Sequence, residues 1–150
     1  MKKILISIAA VALLAGCSGS SKQNDGAVAD PAGDGVVETV DSAGLSAVIE
    51  VMKDGELKTR DDRVAIIDFN ATWCPPCRQF GPVFHAVAEK YRDRADFYSV
   101  DVDRCPQAAQ DFGVQSIPQV SVVHPDGRVD TYVGYMDEAR FDSLVASSLK

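Results

Sequence analysis

Positive charge is in short supply in this sequence. Fifteen Lys and Arg stand against 22 Asp and Glu, a formal net charge of −7. A chain without a basic field has little to offer a polyanion, so nucleic acid is not an expected partner. Long apolar runs are missing too: the stretch Ile4 to Ala15 is broken by Ser7 and falls short of the ~20 residues that cross a bilayer as a helix. Only two histidines and four cysteines occur. Cys17, Cys74, Cys77 and Cys105 are spread unevenly with one close pair among them, so they do not read as an evenly spaced disulfide framework and must be taken one at a time. No internal repeat is visible.

What is present begins with an address. Met1-Lys2-Lys3 is a short positive start to the apolar stretch, the order of a secretory signal over residues 1–16. It ends Leu14-Ala15-Gly16-Cys17, which resembles the lipobox of bacterial lipoproteins. That resemblance implies cleavage before Cys17, a diacylglycerol on its sulfur, and a lipid-anchored chain in the bacterial cell envelope, facing the periplasm or extracytoplasmic space. Ser18 in place of Asp leans toward the outer membrane in a Gram-negative cell. Residues 17–35 continue as a flexible tether, since SGSSKQNDGAVADPAGDG has no apolar period. Such a length reaches roughly 23 Å as a random coil. Loss of two positive charges, Lys2 and Lys3, takes the net charge from −7 to −9, so the domain should not lie flat on an anionic surface.

Residues 36–150 alternate short apolar runs with helical stretches, the pattern of one α/β domain. Strands are expected near Val36–Val40, Val64–Asn70, Phe97–Val102, Gln119–His124 and Arg128–Val133. Helices are expected near Ser42–Lys53, Cys74–Arg92, Pro106–Phe112 and Asp137–Leu149, with Asp54–Arg63 as a polar loop. Pro125-Asp126-Gly127 marks a hairpin turn, which makes the last two strands antiparallel.

The chemistry concentrates where the run Val64 to Phe69 passes through Asn70-Ala71-Thr72-Trp73 into Cys74-Pro75-Pro76-Cys77 and a helix. Cys74 would cap that helix, where free N–H groups and the helix dipole stabilise a thiolate. Cys77, about one turn on, is close enough to attack a mixed disulfide formed by Cys74. Pro75 and Pro76 occupy the first turn, where a missing N–H costs little. A zinc site needs four ligands, and only Cys105, His85 and His124 remain, none at paired spacing, so no metal is expected. Asp68, inside an apolar run, would be desolvated and suited to take a proton from Cys77.

Trp73-Cys74-Pro75-Pro76-Cys77 resembles the Trp-Cys-x-x-Cys site of the thioredoxin family. Asp68 matches the family's buried carboxylate, Pro82 its helix proline, Ile117-Pro118 its cis-proline loop and Val133-Gly134 the small-residue loop beside it. The resemblance covers residues 36–150. It implies a thioredoxin-like fold, a central mixed β-sheet of about five strands flanked by about four helices, and thiol-disulfide exchange with Cys74 attacking, Cys77 resolving and Asp68 moving the proton. Trp73, Pro76, Ile117, Pro118, Val133 and Gly134 would bind substrate. Two departures stand out: the lysine often found near the buried carboxylate is Ser99, and the usual Gly after the first cysteine is Pro75.

The expected activity is therefore that of an extracytoplasmic oxidoreductase, leaning toward reductase, that acts on protein thiols and disulfides. It needs no cofactor beyond its own disulfide, is recharged by an upstream electron-transfer partner, and works as a monomer. The alternatives are a disulfide oxidase or isomerase, or a metal-binding or chaperone module on the same scaffold. Cys105 is expected to be partly exposed, and His85 and His124 to be helix-surface and turn residues without a role.

Overall fold

The computed structural model describes residues 36–150. The signal-like segment, the tether and Cys17 lie outside the described residues. Among those described, seven strands and four helices follow in the order β1 (Val37–Thr39), α1 (Ser42–Val48), β2 (Ile49–Val51), β3 (Leu57–Thr59), β4 (Val64–Asn70), α2 (Pro75–Tyr91), β5 (Ala95–Asp101), α3 (Pro106–Asp111), β6 (Gln119–Val123), β7 (Val129–Val133) and α4 (Glu138–Ser148).

Five strands form the central sheet in the order β1-β5-β4-β6-β7. β1 and β4 run parallel to β5, while β6 is antiparallel to both β4 and β7. The mixed sheet and four helices are those expected. β4 lies at the centre and is buried from Ala65 to Phe69, as a run that is apolar but for Asp68 requires when helices cover both faces.

Side chains alternate across a strand, and the two cores follow that parity. Ile66 packs with Phe80, Phe84, Phe97 and Phe141, on the face covered by α2 and α4. Ala65, Ile67 and Phe69 pack with Leu45, Tyr98, Val100 and Phe112 on the opposite face. By the same parity Asp68 and Asn70 stand on the α2 face, and so does Ser99, two residues beyond Phe97 and in register with Asp68. The chemistry of β4 is thus aimed under the helix that carries Cys77.

Caps set the ends of the helices. The Asp41 carboxylate accepts the Gly44 N–H at 2.8 Å and starts α1, and Asp137 accepts the Arg140 N–H at 2.8 Å and starts α4.

The first helix is shorter than expected. Instead of reaching Lys53 it stops at Val48, and Ile49–Val51 pairs antiparallel with Leu57–Thr59, inside the stretch expected as a loop. Val48, Ile49 and Val51 are β-branched and prefer extended backbone. Gly55, at φ +86°, supplies the turn that lets the chain double back. Leu57 and Thr59 are buried by this hairpin, which explains two inward-facing residues in an otherwise polar segment.

Candidate functional site

Strand β4 delivers the chain to Trp73, and α2 begins one residue after Cys74. Cys74 is the N-cap: its Sγ accepts the Cys77 N–H at 3.3 Å, one of the donors that a helix start leaves free. Cys74 and Cys77 form a disulfide with Cα atoms 5.3 Å apart. With Pro75 and Pro76 at the first helical positions, the turn loses only donors that had no intrahelical partner. Pro82 lies inside α2, where it removes the N–H that would have bonded the Arg78 carbonyl.

Exposure does not separate the two cysteines, which are 3% and 4% accessible in the disulfide form. What separates them is the space each borders. Cys74 lines an open, mainly apolar groove of about 480 Å³ with Trp73, Pro75, Pro76, Val102 and Ile117. Cys77 lines an inner cavity of about 280 Å³ on the other side, with Asp68, Asn70, Gly81, His85 and Ser99. The groove suits an incoming polypeptide, and the inner cavity suits proton traffic.

Trp73 is 63% exposed, and its indole N–H donates to the Asp103 carboxylate, which holds the ring beside the disulfide. The Ile117–Pro118 peptide is cis, and the Ile117 carbonyl lies 3.9 Å from Cys74 Sγ. Since a disulfide sulfur carries no proton, that approach is a contact rather than a hydrogen bond. Pro118 itself is buried and does not border the groove. The Gly134 N–H donates to the Pro118 carbonyl at 2.8 Å, tying the two loops together. Gly134 has φ +97°, a conformation natural to glycine, and Val133 beside it is 58% exposed. Tyr135, 47% exposed, continues this apolar rim and was not singled out in the sequence.

Asp68 is buried, and burial pushes its carboxyl from 3.8 up to about 7, partly offset by a hydrogen bond from Asn70. The Asn70 amide nitrogen lies 3.1 Å from Asp68 Oδ2, 3.2 Å from the Asp68 carbonyl oxygen and 2.9 Å from Ser99 Oγ. The other oxygen, Oδ1, is buried and makes no hydrogen bond. A carboxyl raised toward neutrality on the cavity that Cys77 borders can take up and give back one proton. Sequence reasoning identified Asp68 but missed Asn70. The signal was available: Asn70 shares the period-2 parity of Ile66 and Asp68.

Three other residues differ from expectation. Cys105 is buried at 1% exposure rather than partly exposed, because it caps α3 inside the core with its Sγ 3.9 Å from the Val40 carbonyl oxygen. His124 is also buried, with its ring bonded to Asp130 at 3.0 Å and to Arg128 at 3.1 Å, so it braces the β6–β7 hairpin. His85 is half-buried and lines the inner cavity instead of lying on an open helix surface. Among the described residues no group of three or more His, Cys, Asp or Glu is placed to hold a metal ion.

Comparison with known proteins agrees with this geometry. The Thioredoxin family model matches residues 50–147. The thioredoxin of Borreliella burgdorferi is 38% identical over 98 residues, spanning 65% of this chain and 84% of its own. A thioredoxin of Malassezia sympodialis is 42% identical over 77 residues, 51% of this chain and 73% of its own. The crystal structure of Malassezia sympodialis thioredoxin superposes with a TM-score of 0.60 at 30% identity, covering 73% of this chain and 87% of that one. Thioredoxins act on protein disulfides through a redox-active disulfide of their own, without a cofactor. With the Cys74–Cys77 disulfide at the head of α2 and the family model covering well over half of its length, this chain belongs to the thioredoxin family and is a thiol-disulfide oxidoreductase.

Proposed function

We propose that this protein is a lipid-anchored, extracytoplasmic protein-disulfide reductase. The observation that carries the chemical half is the position of the disulfide, with Cys74 bordering an apolar groove and Cys77 bordering the cavity of Asp68. In the reducing direction the Cys74 thiolate attacks a substrate disulfide, and one substrate sulfur leaves as thiolate. The Cys77 thiol then passes its proton to Asp68 and attacks Cys74 Sγ. The Cys74–Cys77 bond forms as the mixed disulfide breaks, and the second substrate sulfur departs with the electron pair. Trp73, Pro76, Ile117, Val133 and Gly134 offer the docking surface, with Pro118 shaping the loop behind Ile117. An upstream electron donor reduces the disulfide again.

The reducing direction is supported by the neutral-range Asp68 and the compact site, whereas the second proline at the helix start is the feature that could favour an oxidant. Thioredoxin-fold proteins span from ~−270 mV for a reductant to ~−120 mV for a strong oxidant, and 30 mV corresponds to ~1.4 kcal/mol for this couple. Equilibrating the protein with glutathione and quantifying its thiols measures the potential. A value near the reducing end is expected, and one near −120 mV would replace the reductase reading with an oxidase.

The location rests on Met1-Lys2-Lys3, the short apolar stretch and Leu14-Ala15-Gly16-Cys17. Labelled palmitate should enter the protein through Cys17 and be lost in Cys17→Ala. Ser18 favours the outer membrane if the cell has one.

A further inference from the structure

Only the ionised form of Asp68 can receive a proton, and burial disfavours that form. The groups that border its cavity from every side are few. Cys77, Arg78 and His85 come from α2, Ser99 from β5, Asn70 from β4, and Ala71 and Thr72 from the connection to Trp73. Asp101, next along the α2-facing side of β5, accepts the Asp103 N–H, and opposite Asp68 on β6 stands the apolar Val120. Of all these, only Asn70 donates a hydrogen bond to the carboxylate, and Ser99 holds the same amide from the other side. Among the described residues the Asn70 amide contacts only Asp68 and Ser99.

We propose that Asn70, held by Ser99, is a positioning residue for the exchange reaction, fixing the Asp68 carboxylate in the inner cavity in the ionised form that receives the Cys77 proton. The device rests on the exchange chemistry proposed above and acts through Asp68 alone. An amide donates a hydrogen bond to a carboxylate and cannot supply one as good to the same group once protonated, so its bond favours ionisation. Because Asp68 Oδ2 takes that bond while Oδ1 makes none, the amide favours one orientation of the carboxylate. The proton balance is closed: the Cys77 proton moves to Asp68 when the Cys77 sulfur attacks, and Asp68 returns it to solvent or to Cys77 in the reverse direction.

The test titrates the Asp68 carboxyl by ¹³C NMR in the full-length oxidised protein, alongside the pH profile of insulin-disulfide reduction. Asn70→Ala should move the carboxyl inflection upward by about one pH unit, the size expected for losing a hydrogen bond to a charged group. Turnover should then fall about fivefold at pH 7 and converge with the parent at pH 9, where Asp68 is ionised in both. Asn70→Ser, which keeps a short donor, should recover part of the shift. Ser99→Ala, which frees the amide without touching the carboxyl, should move the inflection the same way by less, and it serves if Asn70→Ala does not fold. His85→Gln should leave the inflection in place. An unchanged inflection in Asn70→Ala and Ser99→Ala, an equal loss of turnover at every pH, or a shift in His85→Gln as large as that in Asn70→Ala would overturn the proposal. The carboxyl titration needs no substrate, so a protein that fails to reduce insulin while Asn70 still governs Asp68 would count against the proposed function and not against the positioning role.

Discussion

At Asp68 the burial that suits a proton acceptor works against the fold. Its carboxyl is raised from 3.8 to about 7, so below pH 4 both folded and unfolded chains carry the proton and the residue costs nothing. Between pH 4 and 7 the unfolded chain releases its proton while the folded one keeps it, and stability falls as pH rises. Above 7 the cost levels off at ~4 kcal/mol, about three pH units at ~1.4 kcal/mol each. Asp68→Asn should therefore raise the urea midpoint strongly at pH 8 and little at pH 4, while slowing the resolution of mixed disulfides. An equal gain at both pH values would show that the carboxylate is not the source of the cost. Asp68, the two cysteines and the two loops were singled out through the thioredoxin resemblance that Trp73-Cys74-Pro75-Pro76-Cys77 carries. Asn70 and Cys105 were not. The role of the first depends on β4 lying beside β5 with Asp68 opposite Ser99, and the burial of the second on Val40 arriving from the far end of the chain; spacing alone reveals neither.

Among the elements, α2 carries most of the weight, since it presents the cysteines and also fills the core with Phe80 and Phe84. Phe80 meets Phe84 at 5.9 Å and Phe141 of α4 at 5.2 Å, both edge-on. Truncation by Phe80→Ala should cost about 3–5 kcal/mol and loosen the helix start that Cys74 caps. Calorimetry and the rate of Cys74 alkylation would both report it, and a change in stability below ~1 kcal/mol would contradict this packing. The hairpin β2–β3 is a different kind of element. None of its residues lines the groove or the cavity beside the disulfide, so Gly55→Ala, which forces a side chain onto φ +86°, should lower stability by about 1 kcal/mol and leave insulin reduction unchanged. Its misreading as the tail of a helix has a local cause: Ser42 to Lys53 has apolar residues at helical spacing. What decides against the helix is three β-branched residues and the distant partner Leu57–Thr59, and pairing between segments is invisible to a single window.

For the described residues as a whole, the two apolar faces of one sheet account for nearly all buried apolar side chains, and the redox site sits where β4 hands over to α2 and the cis-proline and Gly134 loops meet it. The mixed sheet of five strands and four helices was legible through the thioredoxin resemblance and the order of apolar and helical stretches, whereas the order β1-β5-β4-β6-β7 and the β2–β3 pairing join distant segments that no single window shows. The proposed mechanism divides labour across the disulfide, with Cys74 facing substrate and Cys77 facing Asp68. It is tested most directly by presenting a disulfide-containing protein such as insulin to the reduced Cys77→Ser and Cys74→Ser variants and mapping any covalent adduct by mass spectrometry. Cys77→Ser is expected to accumulate a mixed disulfide through Cys74, since attack survives and resolution does not, while Cys74→Ser forms none. Trapping through Cys77 in Cys74→Ser, with no adduct in Cys77→Ser, would contradict it.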